Sequence, residues 1–256
     1  MEKPKVLVTN DDGIDCFFLQ VLVEALKEHF TVFVAAPKSE QSWVSKSMSR
    51  YRMVKTEKYT GFDCSAWSVD GTPSDCINIA LGNLLNEKPD IVVSGINVGY
   101  NTSLPLILSS GTIAGASEGA LWGLPAFAFS IVVPKEIFNN VKRHNDHVDE
   151  NFETSLRTAA SISTQLTIEH IDKTSNALIV YNVNFPFPVV KDTTIKHTVP
   201  DGRGIGSLFK HIGEGTYQFG FNQSNRINTS GKLTDRDCVN QGFISYTPLN
   251  FSSIGT

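Results

Sequence analysis

The stretch Lys5 to Asp15, KVLVTNDDGID, constrains this chain more than any other. Lys5 to Thr9 is aliphatic and β-branched, the composition of a buried strand, and it stops at Asn10, two adjacent carboxylates at Asp11 and Asp12, and Gly13. Two like charges side by side repel, so either a proton is shared between them or a cation sits there. In an open α/β sheet the ligand crevice lies beyond the carboxyl ends of the strands, and this turn falls at such an end. An Asx turn capping the next helix would use the same residues with no ligand at all. Both readings stand at this point.

The rest of the chain repeats the rhythm. Phe17 to Leu26 carries apolar residues at helical spacing among Gln20, Glu24 and Lys27, and Thr31 to Ala36 is a second apolar run. A polar, serine-rich loop with Trp43 follows, Lys38 to Ser49, and loops this long in compact domains are more often functional than idle. Ala66 to Val69 reads as a third strand. Thr72 and Pro73 then form a helix start, a cap followed by proline at the first helical position, which needs no catalytic explanation. Asp90 to Ser94 is a fourth strand, followed at once by Gly95 and a polar cluster that includes Asn97, Asn101 and Ser103. Pro125 to Val133 and Ala177 to Val183 are further strands, with helices expected over Ile113 to Trp122 and Glu150 to Leu166.

Strands alternating with helices define a doubly wound, mostly parallel α/β sheet of the Rossmann-like kind. With 256 residues, 41% of them hydrophobic, one large core suffices. We expect an α/β core over residues 1–184. Prolines, glycines and short alternating runs then mark an antiparallel hairpin extension over 185–235, and 236–256 returns to the body with a strand at Gln241 to Thr247.

The candidate ligating side chains are Asp11, Asp12, Ser42 and Asn97, all oxygen donors. Such a set suits one hard divalent cation, Mg²⁺, Mn²⁺ or Ca²⁺, and argues against structural zinc. Ser109-Ser110-Gly111-Thr112 opens a helix of small residues, where free N–H groups and the helix dipole favour an anion. A plain N-cap would look the same. A cation beside an anion cradle is the equipment of phosphoryl transfer.

Other chemistries lose their carriers. No G-x-x-x-x-G-K-[ST] loop is present, no G-x-G-x-x-G follows the first strand, and G-x-S-x-G is missing. Gly202-Arg203-Gly204-Ile205-Gly206 reads as turn material. His144 and His147 with Asp146 and Asp149 resemble a metal cluster, but they fall in a charged segment that we read as a solvated linker. A net charge of −4 with scattered basic residues gives no support for binding a nucleic-acid duplex. Cys16, Cys64, Cys76 and Cys238 contain no C-x-x-C pair, and there is neither a leader-like N-terminus nor a membrane-length apolar run, so the expected location is the cytoplasm with no membrane partner. A phosphorelay receiver also places two acids after its first strand. Here Asp70 would have to be the phosphoacceptor, the chain is twice the usual length, and the receiver lysine has no counterpart near Ser130. A nucleotide-sensing module without catalysis is a third class.

Four ordered blocks favour the first of these classes, the hydrolase. Val8-Thr9-Asn10-Asp11-Asp12-Gly13-Ile14-Asp15, Gly71-Thr72-Pro73-Ser74-Asp75-Cys76, Val93-Ser94-Gly95-Ile96-Asn97-Val98-Gly99-Tyr100-Asn101, and Ser110-Gly111-Thr112 with Glu118-Gly119 resemble the SurE stationary-phase survival phosphatases. Thr234-Asp235-Arg236 and Gly242 to Leu249 resemble that family's C-terminal signature. The resemblance implies a metal-dependent 5′-nucleotidase, with 3′-nucleotides and short polyphosphate as further substrates. It implies metal ligation by Asp11, Asp12, Ser42 and Asn97, catalysis by Asp11 and Asp12, and a phosphate pocket of Asn101, Ser110, Gly111 and Thr112. A cation-activated water is the expected nucleophile, with an aspartyl-phosphate on Asp11 as the other open route. The chain departs from the family pattern at Cys16-Phe17-Phe18-Leu19, Trp43, Ser103 to Leu106 and Ser109. The resemblance also implies a homodimer or homotetramer in which the hairpin reaches a neighbouring subunit through Phe209, Tyr217, Phe219 and Phe221.

Overall fold

A computed structural model describes residues 2–144, 148–171, 178–221 and 231–254. In chain order the elements are β1 (Lys5–Thr9), α1 (Phe17–Lys27), β2 (Thr31–Pro37), β3 (Thr56–Lys58), β4 (Ser65–Val69), α2 (Pro73–Ile79), β5 (Ile91–Val98), α3 (Leu104–Ser109), α4 (Gly111–Leu121), β6 (Ala126–Ile131), α5 (Lys135–His144), α6 (Glu150–Ile168), β7 (Ile179–Phe185), β8 (Ile195–His197), β9 (Phe209–Gly213), β10 (Thr216–Phe219), α7 (Asp235–Asn240) and β11 (Ile244–Asn250). Nine strands form one sheet in the order β3-β4-β2-β1-β5-β6-β7-β11-β8, and β9 and β10 form a separate antiparallel pair. From β4 to β7 all neighbours run parallel; β3 and β11 join antiparallel at the flanks. This is the expected mostly parallel α/β sheet with an antiparallel hairpin near the C-terminus.

Period-two alternation sorts the strand residues into two cores. Val6 and Val8 of β1 face a cluster with Phe18, Leu22, Phe152 and Leu156 from α1 and α6, while Leu7 faces a second cluster with Cys76, Ile113 and Ala116 from α2 and α4. Cys16 to Leu19 pack into the first of these cores. Phe18 and Leu19 are buried, and Phe18 meets Phe152 at a ring-centroid distance of 5.6 Å. Each such buried side chain stabilises the fold by roughly 1.5–3 kcal/mol. On the other face α4 is buried from Gly111 through Ala120, which its small residues permit.

Strand order reverses between β1 and β5, which pair directly from Val6↔Ile91 to Thr9↔Ser94. Crevices for ligands form at such a switch point. The acidic turn leaves β1 there.

Several elements differ from the expectation. β5 continues to Val98, four residues past its expected end at Ser94, because its pairing with β6 shifts register between Ser94 and Asn97. Residues 135–144, for which no element was expected, form α5; of the segment read as a linker, the side chain of His144 and residues 145–147 lie outside the described residues. β8 lies within the segment taken as the hairpin extension, yet it pairs with β11 in the main sheet. The hairpin proper occupies Phe209 to Phe219.

Candidate active site

Four loops converge at the switch point. The turn after β1 supplies Asp11 and Asp12, the loop after β2 supplies Ser42 and Trp43, the end of β5 and its following loop supply Asn97 and Asn101, and the start of α4 supplies Ser110, Gly111 and Thr112. Asp11, Ser42, Asn97, Asn101 and Ser110 line one cavity of about 820 Å³. Asp12, Gly111 and Thr112 are not on its wall, but each is tied to something that is. Val98 N–H donates to Asp12 Oδ2 at 2.9 Å, next to Asn97.

Thr112 is the link between the acidic turn and the helix start. Its hydroxyl is fully buried, donates to Asp11 Oδ1 at 2.7 Å, and accepts from Asn101 Nδ2 at 3.3 Å. Asn101 Nδ2 also donates to Ser130 Oγ at 2.9 Å. The backbone of Asn101 is held as firmly, its N–H by Asn184 Oδ1 at 2.7 Å and its carbonyl by Asn182 Nδ2 at 2.8 Å. Ser110 caps α4 by accepting from Ile113 N–H at 3.1 Å. Gly111 must be glycine for contact reasons: a Cβ there would lie 2.7 Å from Asp11 Cβ and 2.9 Å from Gln41 O.

The loop after β2 is fastened from both sides. Ser45 N–H donates to Ser109 O at 2.9 Å and Ser45 Oγ to Leu108 O at 2.7 Å. Lys46 Nζ reaches Glu118 Oε2 at 2.6 Å, and Asn78 and Trp122 hold the other oxygen of that carboxylate. Burial works against charge on Glu118, but these donors outweigh it and hold its pKa below the usual value. The Gly71 to Cys76 block turns out to serve the same loop. Thr72 and Asp75 form a reciprocal capping box, while Thr72 Oγ1 donates to Ser47 O at 2.8 Å and Asp75 Oδ1 accepts from Ser49 N–H at 3.0 Å. A segment that looked like a simple helix start thus anchors the loop bearing Ser42.

Asp235 was quoted in the sequence only as part of a C-terminal motif. It is fully buried and accepts N–H bonds from Ser103 at 2.9 Å, Asp201 at 3.0 Å and Arg236 at 2.7 Å. Burial pushes its carboxyl up to about 6 against the pull of those three donors. Ser103 sits at φ 73°, a left-handed conformation rare for serine, two residues after Asn101. The C-terminal helix therefore fixes the loop that presents Asn101.

The cavity wall also includes Glu40, Lys135, Phe138, Phe219 and Phe221, none of which the sequence marked as site residues. Trp43, noted in the sequence only as part of the serine-rich loop and as a departure from the family pattern, packs on Phe219 at 5.0 Å and on Phe221 at 5.7 Å between ring centroids. These hairpin rings thus rest on a loop of their own chain. Asp70, the acceptor a receiver domain would need, is half exposed in a 3.1 Å ion pair with Arg52 and does not line the cavity.

Fold and site together define a doubly wound α/β protein with an acidic, oxygen-lined crevice beside a helix N-terminus. The family model described as survival protein SurE matches residues 6–204. Among relatives, the 5′-nucleotidase SurE of Methanosarcina acetivorans is 30% identical over 256 residues, covering 98% of this chain and 93% of that protein. That of Stenotrophomonas maltophilia strain K279a is 33% identical over 252 residues, covering 96% and 89%. The crystal structure of the SurE protein from Aquifex aeolicus superposes with a TM-score of 0.74 at 28% identity, covering 96% of this chain and 93% of that one. The chain belongs to the SurE survival-protein family.

Proposed function

We propose that this protein is a 5′-nucleotidase, a phosphoric monoester hydrolase that releases phosphate from nucleoside monophosphates. Family membership and the relatives named 5′-nucleotidase support the reaction class. The observation that carries it to this cavity is Thr112, whose hydroxyl joins the Asp11 carboxylate to the Asn101 amide at the start of α4. One network thereby spans the acidic turn and the anion cradle.

The donor chemistry fits one hard divalent cation, Mg²⁺, Mn²⁺ or Ca²⁺, held by Asp11, Asp12, Ser42 and Asn97. Asp11 and Asp12 bring carboxylate oxygens, Ser42 a hydroxyl and Asn97 an amide oxygen, a donor set of hard oxygens with no sulfur or imidazole. Asn97 donates through Nδ2 to Gly99 O at 3.0 Å, which leaves Oδ1 as its acceptor end. When bound, the cation offsets the charge of the paired aspartates and polarises a phosphoryl oxygen. The chain's own groups do the rest. The first-turn N–H groups of α4 receive the phosphate, Asn101 positions it, and Asp11, with one oxygen held by Thr112, orients the attacking water. A phosphoryl-enzyme trapped by acid quench would assign the attack to Asp11 itself.

The exposure of Phe209 at 58%, Ile212 at 57% and Tyr217 at 60% supports a homodimer or homotetramer joined through the hairpin. A monomer by light scattering would overturn that part. Among the described residues no helix is long and apolar enough to cross a membrane, and the four cysteines are free thiols, which supports a cytoplasmic place of action.

A phosphate-release panel tests the function. We expect release from nucleoside 5′-monophosphates with Mg²⁺ or Mn²⁺ and its loss in chelator, with 3′-monophosphates and short polyphosphate as the further substrates to compare. No release from any monoester with any of the cations would overturn the reading.

A further inference from the structure

The cavity is larger and less polar than a phosphate requires. Pockets of roughly 300–1,000 Å³ enclose drug-sized ligands, and this one, at about 820 Å³, holds far more than a phosphoryl group. Part of its lining is the polar set around Asp11, and another part is aromatic: Trp43, Phe138, Phe219 and Phe221. We infer that Trp43, with Phe219 and Phe221 of the hairpin, forms the subsite that stacks on the nucleobase, so the hairpin sets substrate preference. The inference rests on the nucleotidase reading given above.

Three observations support it. Trp43 is held at φ 63° and Ser45 at φ 55°, conformations sparsely populated by non-glycine residues, and Ser45 is bonded twice to the end of α3. The loop is therefore fixed in an unusual path that places Trp43 on the cavity wall. Trp43 nevertheless remains 37% exposed, so its ring is not consumed by packing in the core. Phe219 meets it at 69° and Phe221 at 54°, so the three rings form one aromatic cluster, and all three line the cavity. Every base has a π-face and a sugar phosphate has none, so this surface distinguishes a nucleotide from a simpler monoester without reading hydrogen-bond edges. Stacking of this kind predicts breadth across bases, with purines preferred for their larger face.

The test compares a nucleoside 5′-monophosphate with ribose 5-phosphate in the unaltered protein and in Trp43→Ala and Phe219→Ala. We expect the ratio of kcat/KM between the two substrates to fall about ten- to a hundredfold in Trp43→Ala, through KM, and to fall less in Phe219→Ala. Thermal melting should be unchanged, since neither ring is buried. Binding of the phosphate-free nucleoside, followed by calorimetry, should weaken by a similar factor. An unchanged ratio and unchanged nucleoside binding would overturn the stacking subsite while leaving the phosphatase intact. An unaltered protein that hydrolyses neither substrate would instead overturn the function on which the inference rests.

Discussion

Asp11→Asn should lower kcat/KM for nucleotide hydrolysis by two or more orders of magnitude, about 3 kcal/mol or more of transition-state stabilisation. The substitution keeps shape, and Asn Oδ1 can still accept from Thr112, so the network that bonds at 2.7 Å in the native protein survives. What would be lost is the charge that, in the proposed function, holds the cation and orients the attacking water. In chelator the variant should melt at or above the native temperature, because a buried negative charge next to Asp12 has been removed. The rise in melting temperature expected on adding Mn²⁺ to the native protein should be absent from the variant. A variant that kept both its activity and its response to Mn²⁺ would show that the aspartate pair is only a turn.

Gly95→Ala should have the largest effect on folding. Gly95 lies in β5 at φ 133°, and a Cβ there would sit 2.3 Å from the carbonyl oxygen of Phe129 in β6. That atom belongs to the backbone of a central strand and cannot swing aside. Relief requires β5 and β6 to separate where both are fully buried, so the cost should exceed about 4 kcal/mol and the protein should fail to accumulate in folded form. Gly111→Ala makes the contrast. Its Cβ would press on Asp11, so activity should fall while the β5–β6 pairing persists. A Gly95→Ala protein that purified and melted normally would contradict the close approach.

The contrast between those two glycines shows what a sequence discloses. β1 and its acidic turn were legible because an apolar run ends in Asp-Asp-Gly, and the start of α4 because hydroxyls and glycine precede small residues. The far end of β5 was hidden, since Gly95 to Val98 looks like loop until β6 is in place to pair with it. α3 and α7 have six residues each, too few for periodicity to register, and the charged, amphipathic α5 was not assigned. Asp235 acts on Ser103 across 132 residues, and no local pattern can show such a bond. Its neighbourhood carried one readable signal, the cap formed when Thr234 accepts from Asp237 N–H. The aromatic side of the cavity was the least visible part. Trp43 and Phe219 are 176 residues apart, and only the folded chain brings the hairpin to the loop after β2.

The most direct test of the central claim is anomalous scattering from crystals grown with Mn²⁺. One manganese peak per chain is expected, within ligating reach of oxygens from Asp11, Asp12, Ser42 and Asn97, and no such peak in Asp11→Asn crystals. A peak at another cluster, or a site that stays empty at millimolar Mn²⁺ while the protein still releases phosphate, would contradict it.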